Sequence, residues 1–226
     1  MREVVLDTET TGLDPANGHR IVEIGCLELV NHVPSGGPSG TFQRYIDPER
    51  PMPDEAFAVH GLSDEALAGK PVFADIADDF LSFIGDDPLV IHNARFDLKF
   101  LNAELQAIDR PPLPMSRAID TVAIARQRFP GAQASLDALC RRYGVDNSNR
   151  QLHGALLDAE LLAEVYLELI GGRQPSLTLA ARPSGRAISA GRPRAPRTPH
   201  PHEPTPDEAA AHEAFLDLIK DPIWLR

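Results

Sequence analysis

The stretch "VVLDTETTGL", residues 4–13, decides how the chain is read. Val4, Val5 and Leu6 are consecutive and apolar, the pattern of a central strand buried on both faces. Two acids follow, Asp7 and Glu9, and strand alternation puts Val5, Asp7 and Glu9 on one face. Two residues of strand rise is about 6.6 Å, so both carboxylates reach a common point in front of the strand end. In α/β proteins the crevice at such an end is a common place for ligands. A capping or turn role accounts for one strand-end acid, and less well for two on the same face.

Outward from this strand the chain alternates. Strands are expected at Val4–Thr8, Ile21–Val30, Thr41–Ile46, Leu89–His92 and Ala118–Asp120, and helices at Val72–Ile84, Ala94–Ile108, Thr121–Arg128, Ser135–Tyr143 and Gly154–Ile170. The first three strands follow one another through turn-rich loops such as "DPANGH" and "PSGGPSG", which predicts an antiparallel meander. Later strands are separated by helices, which implies parallel crossovers. The fold class is therefore α/β, a mixed five-stranded sheet flanked by helices. There is no internal repeat.

Two more acids stand where they are costly. Asp97 in "VIHNARFDLKFL" falls in the first turn of a helix that follows a buried strand, a position the helix dipole alone would favour. In "QLHGALLDAELLAEVYLELI", residues 151–170, Ala155, Leu162, Val165 and Leu169 recur on one helical face. Asp158 lies on that same apolar face, and His153 precedes the helix. A carboxylate aimed at a core must be neutralised, hydrogen-bonded or bound to a metal. Four converging acids repel one another unless a hard divalent cation takes them as oxygen ligands. Asp7, Glu9, Asp97 and Asp158 thus suit a two-metal hydrolytic site, in which two ions about 4 Å apart stabilise the attacking and leaving oxygens of a phosphoryl displacement. His153, on or beside a loop, suits the base that takes a proton from the attacking water near neutral pH.

Bulk properties set limits on this chemistry. Of 226 residues, 42% are hydrophobic, enough for one good-sized domain with an appendage. No N-terminal signal peptide is expected, and no stretch approaches the roughly 18 apolar residues of a membrane span. Cys26 and Cys140 sit in apolar surroundings and read as reduced core residues of a cytoplasmic protein. Residues 1–173 hold 27 acidic and 15 basic residues, a net −12, whereas 174–226 hold 6 and 7, a net +1. An acidic domain lacks the usual electrostatic grip on nucleic acid, so any nucleic acid must be held locally or delivered by a partner.

The composition changes after Ile170. Residues 174–206 are rich in proline, with five arginines between 182 and 197, and read as a flexible linker. Residues 207–226 then offer Phe215, Leu216, Ile219, Ile223, Trp224 and Leu225, with Asp207 as the expected helix cap. So short an apolar segment makes no core of its own, and docking on a partner is expected.

The three acidic stretches "DTETTGL" (7–13), "HNARFD" (92–97) and "HGALLD" (153–158) resemble the motifs of the DEDDh 3′→5′ exonucleases, which have a ribonuclease H-like fold. Together with "DEAFAVHGLSDE" (54–65) and residues 129–167, they look most like the proofreading epsilon subunits of bacterial DNA polymerase III. The resemblance covers about three quarters of the chain. It implies that Asp7, Glu9, Asp97 and Asp158 hold two Mg²⁺ or Mn²⁺ ions, and that His153 is the proton acceptor. The product would be a nucleoside 5′-monophosphate released from a single-stranded or frayed DNA 3′ end. Thr10, Gly12, Leu13, Glu55 and His60, with Asp7, Glu9 and Asp158, would contact the terminal nucleotide. "QPSLTL", Gln174–Leu179, is similar to a sliding-clamp-binding peptide, although Leu179 stands where an aromatic is usual. Residues 207–226 resemble the segment that binds the polymerase alpha subunit. Two other functions fit parts of the pattern: a free-standing DEDDh exoribonuclease, and a non-catalytic polymerase scaffold subunit.

Overall fold

Three consecutive apolar residues at the centre of β1 (Arg2–Thr10) are completely buried, and they separate two hydrophobic cores. Val4 and Leu6 pack with Ile24, Cys26, Phe42, Phe80, Ile91 and Phe100 on one side of the sheet. Val5 packs on the other side with Leu27, Leu29, Val90, Ala159, Leu162 and Val165. The computed structural model describes residues 1–148, 152–172 and 204–218.

β1 is the inner strand of a mixed sheet. It pairs antiparallel with β2 (Ile21–Val30), from Arg2↔Val30 to Thr10↔Ile21. On its other edge it runs parallel to β5 (Leu89–Ile91), which is in turn parallel to β6 (Ala118–Asp120). β2 also carries the two-residue β3 (Val33–Pro34) and β4 (Thr41–Tyr45). The five expected strands are thus present, with β3 added inside the turn-rich loop. β1 is longer than the apolar run suggested because β2 pairs with it as far as Thr10.

Helices cover both faces. α3 (Phe73–Ile84) and α4 (Ala94–Ala107) close the first core. α5 (Thr121–Arg128), α6 (Leu136–Tyr143) and α7 (Ala155–Leu169) close the second. Two short helices were not expected, α1 (Asp54–His60) and α2 (Asp64–Leu67). Each spans at most two turns, too little for an apolar period to declare itself. α1 is bounded by Pro53 and by Gly61 at φ 72°, the left-handed stop that glycine supplies.

α7 lies against β2 with no space between them. A Cβ on Gly25 would stand 2.2 Å from the carbonyl carbon of Ala155 and the amide nitrogen of Leu156. Gly25 is the register partner of Asp7, so this close approach brings the first turn of α7 beside the β1 acids.

The chain divides into two compact units, Met1–Leu177 and Thr178–Arg226. Within the second, α8 (Pro206–Leu216) is capped by Thr205 rather than by Asp207. The Thr205 side chain accepts from the Glu208 amide, and the Glu208 carboxylate accepts from the Thr205 amide. This reciprocal capping box, with Pro206 in the first turn, outcompetes a cap two residues later. The Gln174–Leu179 peptide, most of the 174–206 linker and Ile219, Ile223, Trp224 and Leu225 lie outside the described residues.

Gly25→Ala is expected to destabilise the protein by at least about 1–3 kcal/mol, the cost of overpacking a rigid contact. Urea melts of the variant and the parent chain give the difference, and an unchanged midpoint would mean that α7 has room to move.

Candidate active site

The carboxyl end of β1, the start of α4 and the start of α7 meet at one cavity of about 320 Å³. Asp7, Glu9, Asp97, His153 and Asp158 all line it, along with His92, Phe96 and Asp137. Each acid arrives for a local reason. β1 carries Asp7 and Glu9 on the face turned toward α7, two and four residues beyond Val5. Asp97 comes from the first turn of α4, whose N-cap Asn93 adopts φ 67°, a left-handed conformation that asparagine tolerates better than most residues. The Asn93 amide donates to Asp120 Oδ1 at 3.2 Å, which fixes this strand-to-helix turn. Asp158 is in the first turn of α7, and its amide donates to the Gly154 carbonyl at 2.8 Å.

Glu9, Asp97 and Asp158 are buried, at 7%, 2% and 3% exposure. Thr8 Oγ1 donates to Asp97 Oδ1 at 2.8 Å inside the protein. Burial nevertheless pushes the Asp97 carboxyl up to about 7, while its hydrogen bonds pull the other way and the charge of Asp120 adds to the rise. One donor atom from each of Glu9, His153 and Asp158 lies within 4.8 Å of the others. The oxygen-rich donor set fits a hard divalent cation. His153 Nδ1 stands 3.4 Å from Asp158 Oδ2, and its side chain is 45% exposed. Its backbone amide donates to the Val59 carbonyl at 3.1 Å, tying the loop before α7 to α1.

A second cavity, of about 610 Å³, shares Thr8, Glu9 and Phe96 with the first. Thr10, Gly12, Leu13, Glu55 and His60 line it together with Glu9, whereas Asp7 and Asp158, also expected at the nucleotide, line only the smaller cavity. A Cβ on Gly12 would stand 2.3 Å from the His19 ring, so a larger residue there would have to displace that ring. Thr11 Oγ1 holds His19 Nδ1 at 3.2 Å and accepts from the Arg20 amide at 3.0 Å. Arg20 in turn makes two 2.8 Å contacts with buried Glu104 of α4. His60 is buried, and burial lowers the pKa of its ring. Its Nδ1 accepts from the Leu62 amide at 3.1 Å, so in the neutral ring Nε2 carries the proton. That Nε2 has no hydrogen-bond partner among the described residues.

Sequence reasoning passed over Thr8, His19, His92 and Phe96. Thr8 and Phe96 sit inside the acidic motifs and could have been found by asking what supports Asp97. His92 Nδ1 lies 2.9 Å from Thr121 Oγ1, a partner that only the fold brings near.

Residues 4–166 match the family described as Exonuclease. The DNA polymerase III subunit epsilon of Rickettsia felis is 51% identical over 225 residues, covering 97% of this chain and 97% of the relative. The subunit of the same name from Escherichia coli is 44% identical over 232 residues, covering 97% and 93%. Among solved structures, exonuclease X in complex with 5′ overhanging duplex DNA superposes with a TM-score of 0.59 at 26% identity, over 74% of this chain and 90% of that one. The nuclease domain of 3′hExo, a DEDDh family member bound to rAMP, superposes with a TM-score of 0.63 at 20% identity, over 75% and 91%. The expected ribonuclease H-like exonuclease fold is therefore the fold of this chain.

Asp97 gives the metal-free protein a defined pH dependence. Its carboxyl titrates higher in the folded state than the ordinary 3.8, so the stability its neutral form contributes is full below about pH 4 and is lost as pH rises through about 7. Asp97→Asn keeps an acceptor for Thr8 and cannot ionise. In EDTA, urea melts are expected to show the variant increasingly more stable than the parent between pH 4 and 7. A pH-independent difference would contradict the assignment.

Proposed function

This chain belongs to the exonuclease family and, within it, to the DNA polymerase III epsilon subunits, and we propose that Asp7, Glu9, Asp97, Asp158 and His153 are the groups with which it works. It is a 3′→5′ exonuclease, a hydrolase that proofreads within the replicative polymerase, with DNA as substrate and the polymerase as partner. The observation that supports these residues most is their convergence in one cavity beside a second, larger one.

Asp7, Glu9, Asp97 and Asp158 would hold two Mg²⁺ or Mn²⁺ ions, with Asp97 acting directly or through water. Bound there, divalent cations supply charge stabilisation for the transferred phosphoryl group and the leaving 3′ oxygen. His153 is the proton acceptor for the attacking water: its ring is reachable from solvent and stands beside Asp158. Thr10, Gly12, Leu13, Glu55 and His60 hold the terminal nucleotide in the larger cavity, together with Asp7, Glu9 and Asp158 at its phosphate end. The exposed Leu13 side chain offers apolar contact to a base, and the Nε2–H of His60 offers a donor. Cleavage then releases a nucleoside 5′-monophosphate.

The division of the chain fits this function: residues 1–173 as the nuclease, 174–206 as the connection to the tail, and 207–226 as the segment that docks on the polymerase alpha subunit. Gln174–Leu179 would bind the sliding clamp. An acidic nuclease needs little DNA affinity of its own when a tether raises the effective concentration of the 3′ end. Among the described residues no helix is long and apolar enough to cross a membrane, and a replication subunit works in the cytoplasm. The free-standing exoribonuclease would use the same residues, but the similarity to epsilon subunits extends over 97% of the chain.

Degradation of 5′-labelled single-stranded DNA tests the site. A ladder shortening from the 3′ end is expected with Mg²⁺, and none with EDTA or with Asp7→Ala. His153→Ala is expected to slow the reaction by roughly 10²–10⁴, the span of general-base catalysis. A wild-type rate in either variant would remove that residue from the proposal. Deleting residues 207–226 is expected to leave single-strand degradation intact and to abolish co-elution with the alpha subunit; loss of both would make the segment part of the nuclease.

A further inference from the structure

Helix α7 carries Asp158, and the loop immediately before it carries His153, yet its N-terminus lacks a cap of its own. Gly154, the N-cap residue, has no side chain with which to accept from the first amides. The Ala155 amide is buried and finds its acceptor far back in the chain. Glu23 Oε2 of β2 receives it at 3.1 Å, 132 residues away in sequence. Glu23 is itself only 2% exposed. Its other oxygen accepts from Gln43 Nε2 of β4 at 2.7 Å.

The register makes this cap specific to the site. Glu23 stands directly across from Glu9, and Gly25 directly across from Asp7. Partners across an antiparallel pair share a face, so Glu23, Gly25, Asp7 and Glu9 all face α7. Gly25 sets how closely the helix approaches the sheet. A close approach alone leaves the helix free to slide or rotate over a flat strand. A hydrogen bond to the first amide removes that freedom, and the positive end of the helix favours a carboxylate there.

We propose that Glu23 is a positioning residue for the exonuclease reaction: through the Ala155 amide it fixes the first turn of α7, and hence Asp158 and His153, against Asp7 and Glu9. The proposal rests on the site assignment above. Glu23 touches neither substrate nor cation in this role. Side-chain length should then matter more than charge. Asp in its place is one methylene too short to reach Ala155. Gln still presents an oxygen to Ala155, and its amide can donate to Gln43 once the Gln43 amide is flipped.

The experiment compares the full chain with Glu23→Ala, Glu23→Asp and Glu23→Gln. Three quantities are read: kcat and KM on a single-stranded oligonucleotide, Mn²⁺ affinity by water-proton relaxation without DNA, and exchange of the Ala155 amide. A displacement of about 1 Å in a catalytic group can cost about 10²-fold. Glu23→Ala and Glu23→Asp are accordingly expected to lose about 10- to 100-fold in kcat, with KM little changed, Mn²⁺ bound several-fold more weakly and the Ala155 amide exchanging faster. Glu23→Gln is expected to restore all three to within about threefold of the parent. Folded Ala or Asp variants with parental kcat and Mn²⁺ affinity would overturn the proposal, even if they melt earlier. Should the Ala variant fail to fold, the Asp and Gln pair decides: equal activity in the two overturns it. A parent chain that neither binds Mn²⁺ nor degrades DNA would instead overturn the site assignment, leaving the amide-exchange result to judge the cap by itself.

Discussion

Electrostatic repulsion among carboxylates in a poorly solvated place is the constraint on which this molecule is organised. Three of the four acids are almost wholly buried, and in low dielectric such groups resist sharing a site while charged. The fold meets this cost with packing that does not depend on the acids. β1 is sandwiched between two hydrophobic cores, and each acid leaves that sandwich only at the strand end or in a first helical turn. The raised carboxyl of Asp97, pushed up chiefly by burial and further by the charge of Asp120, shows what placing an acid there costs. Rigidity elsewhere is therefore a requirement of the site: Arg20 on Glu104, the Thr8 hydroxyl on Asp97 and the Asn93 amide on Asp120 each hold part of its wall.

Much of this was legible in the sequence because burial and charge contradict each other there. Asp158 on the apolar face of a helix, and Asp7 and Glu9 leaving a fully apolar strand, declare themselves by being expensive. The sheet was legible for a related reason, since "VVL" and "LVI" are runs that only inner strands carry. Glu55 and His60 were different: no local pattern marks them, and only the resemblance to exonucleases pointed to their cavity. Glu23 and Gly25 gave no signal at all. In a strand that reads "IVEIGCLELV", an acid and a glycine look like an exposed position and a bulge. Their meaning depends on a helix 132 residues later. The short helices α1 and α2 and the true cap of α8 were missed because each is settled by one or two local contacts rather than by a period.

The two cavities share one wall, made of Thr8, Glu9 and Phe96. Glu9 thus belongs both to the acidic cluster and to the larger pocket beside it. A group that occupies the larger pocket is held in register with the acids by a side chain common to both. The loop from Thr10 to His19 is kept narrow by the packing of Gly12 against the His19 ring.

The long reach from Glu23 to Ala155 also has a consequence in time. β1, β2 and α4 emerge from the ribosome with three of the four acids before α7 exists, and α7 meets the sheet through contacts that span most of the domain. Such non-local pairing forms late in folding. A nascent or truncated chain that ends before Ala155 lacks Asp158 and the helix that seats it. On the proposed assignment of the site, an incomplete copy therefore carries three of the acids but lacks the fourth.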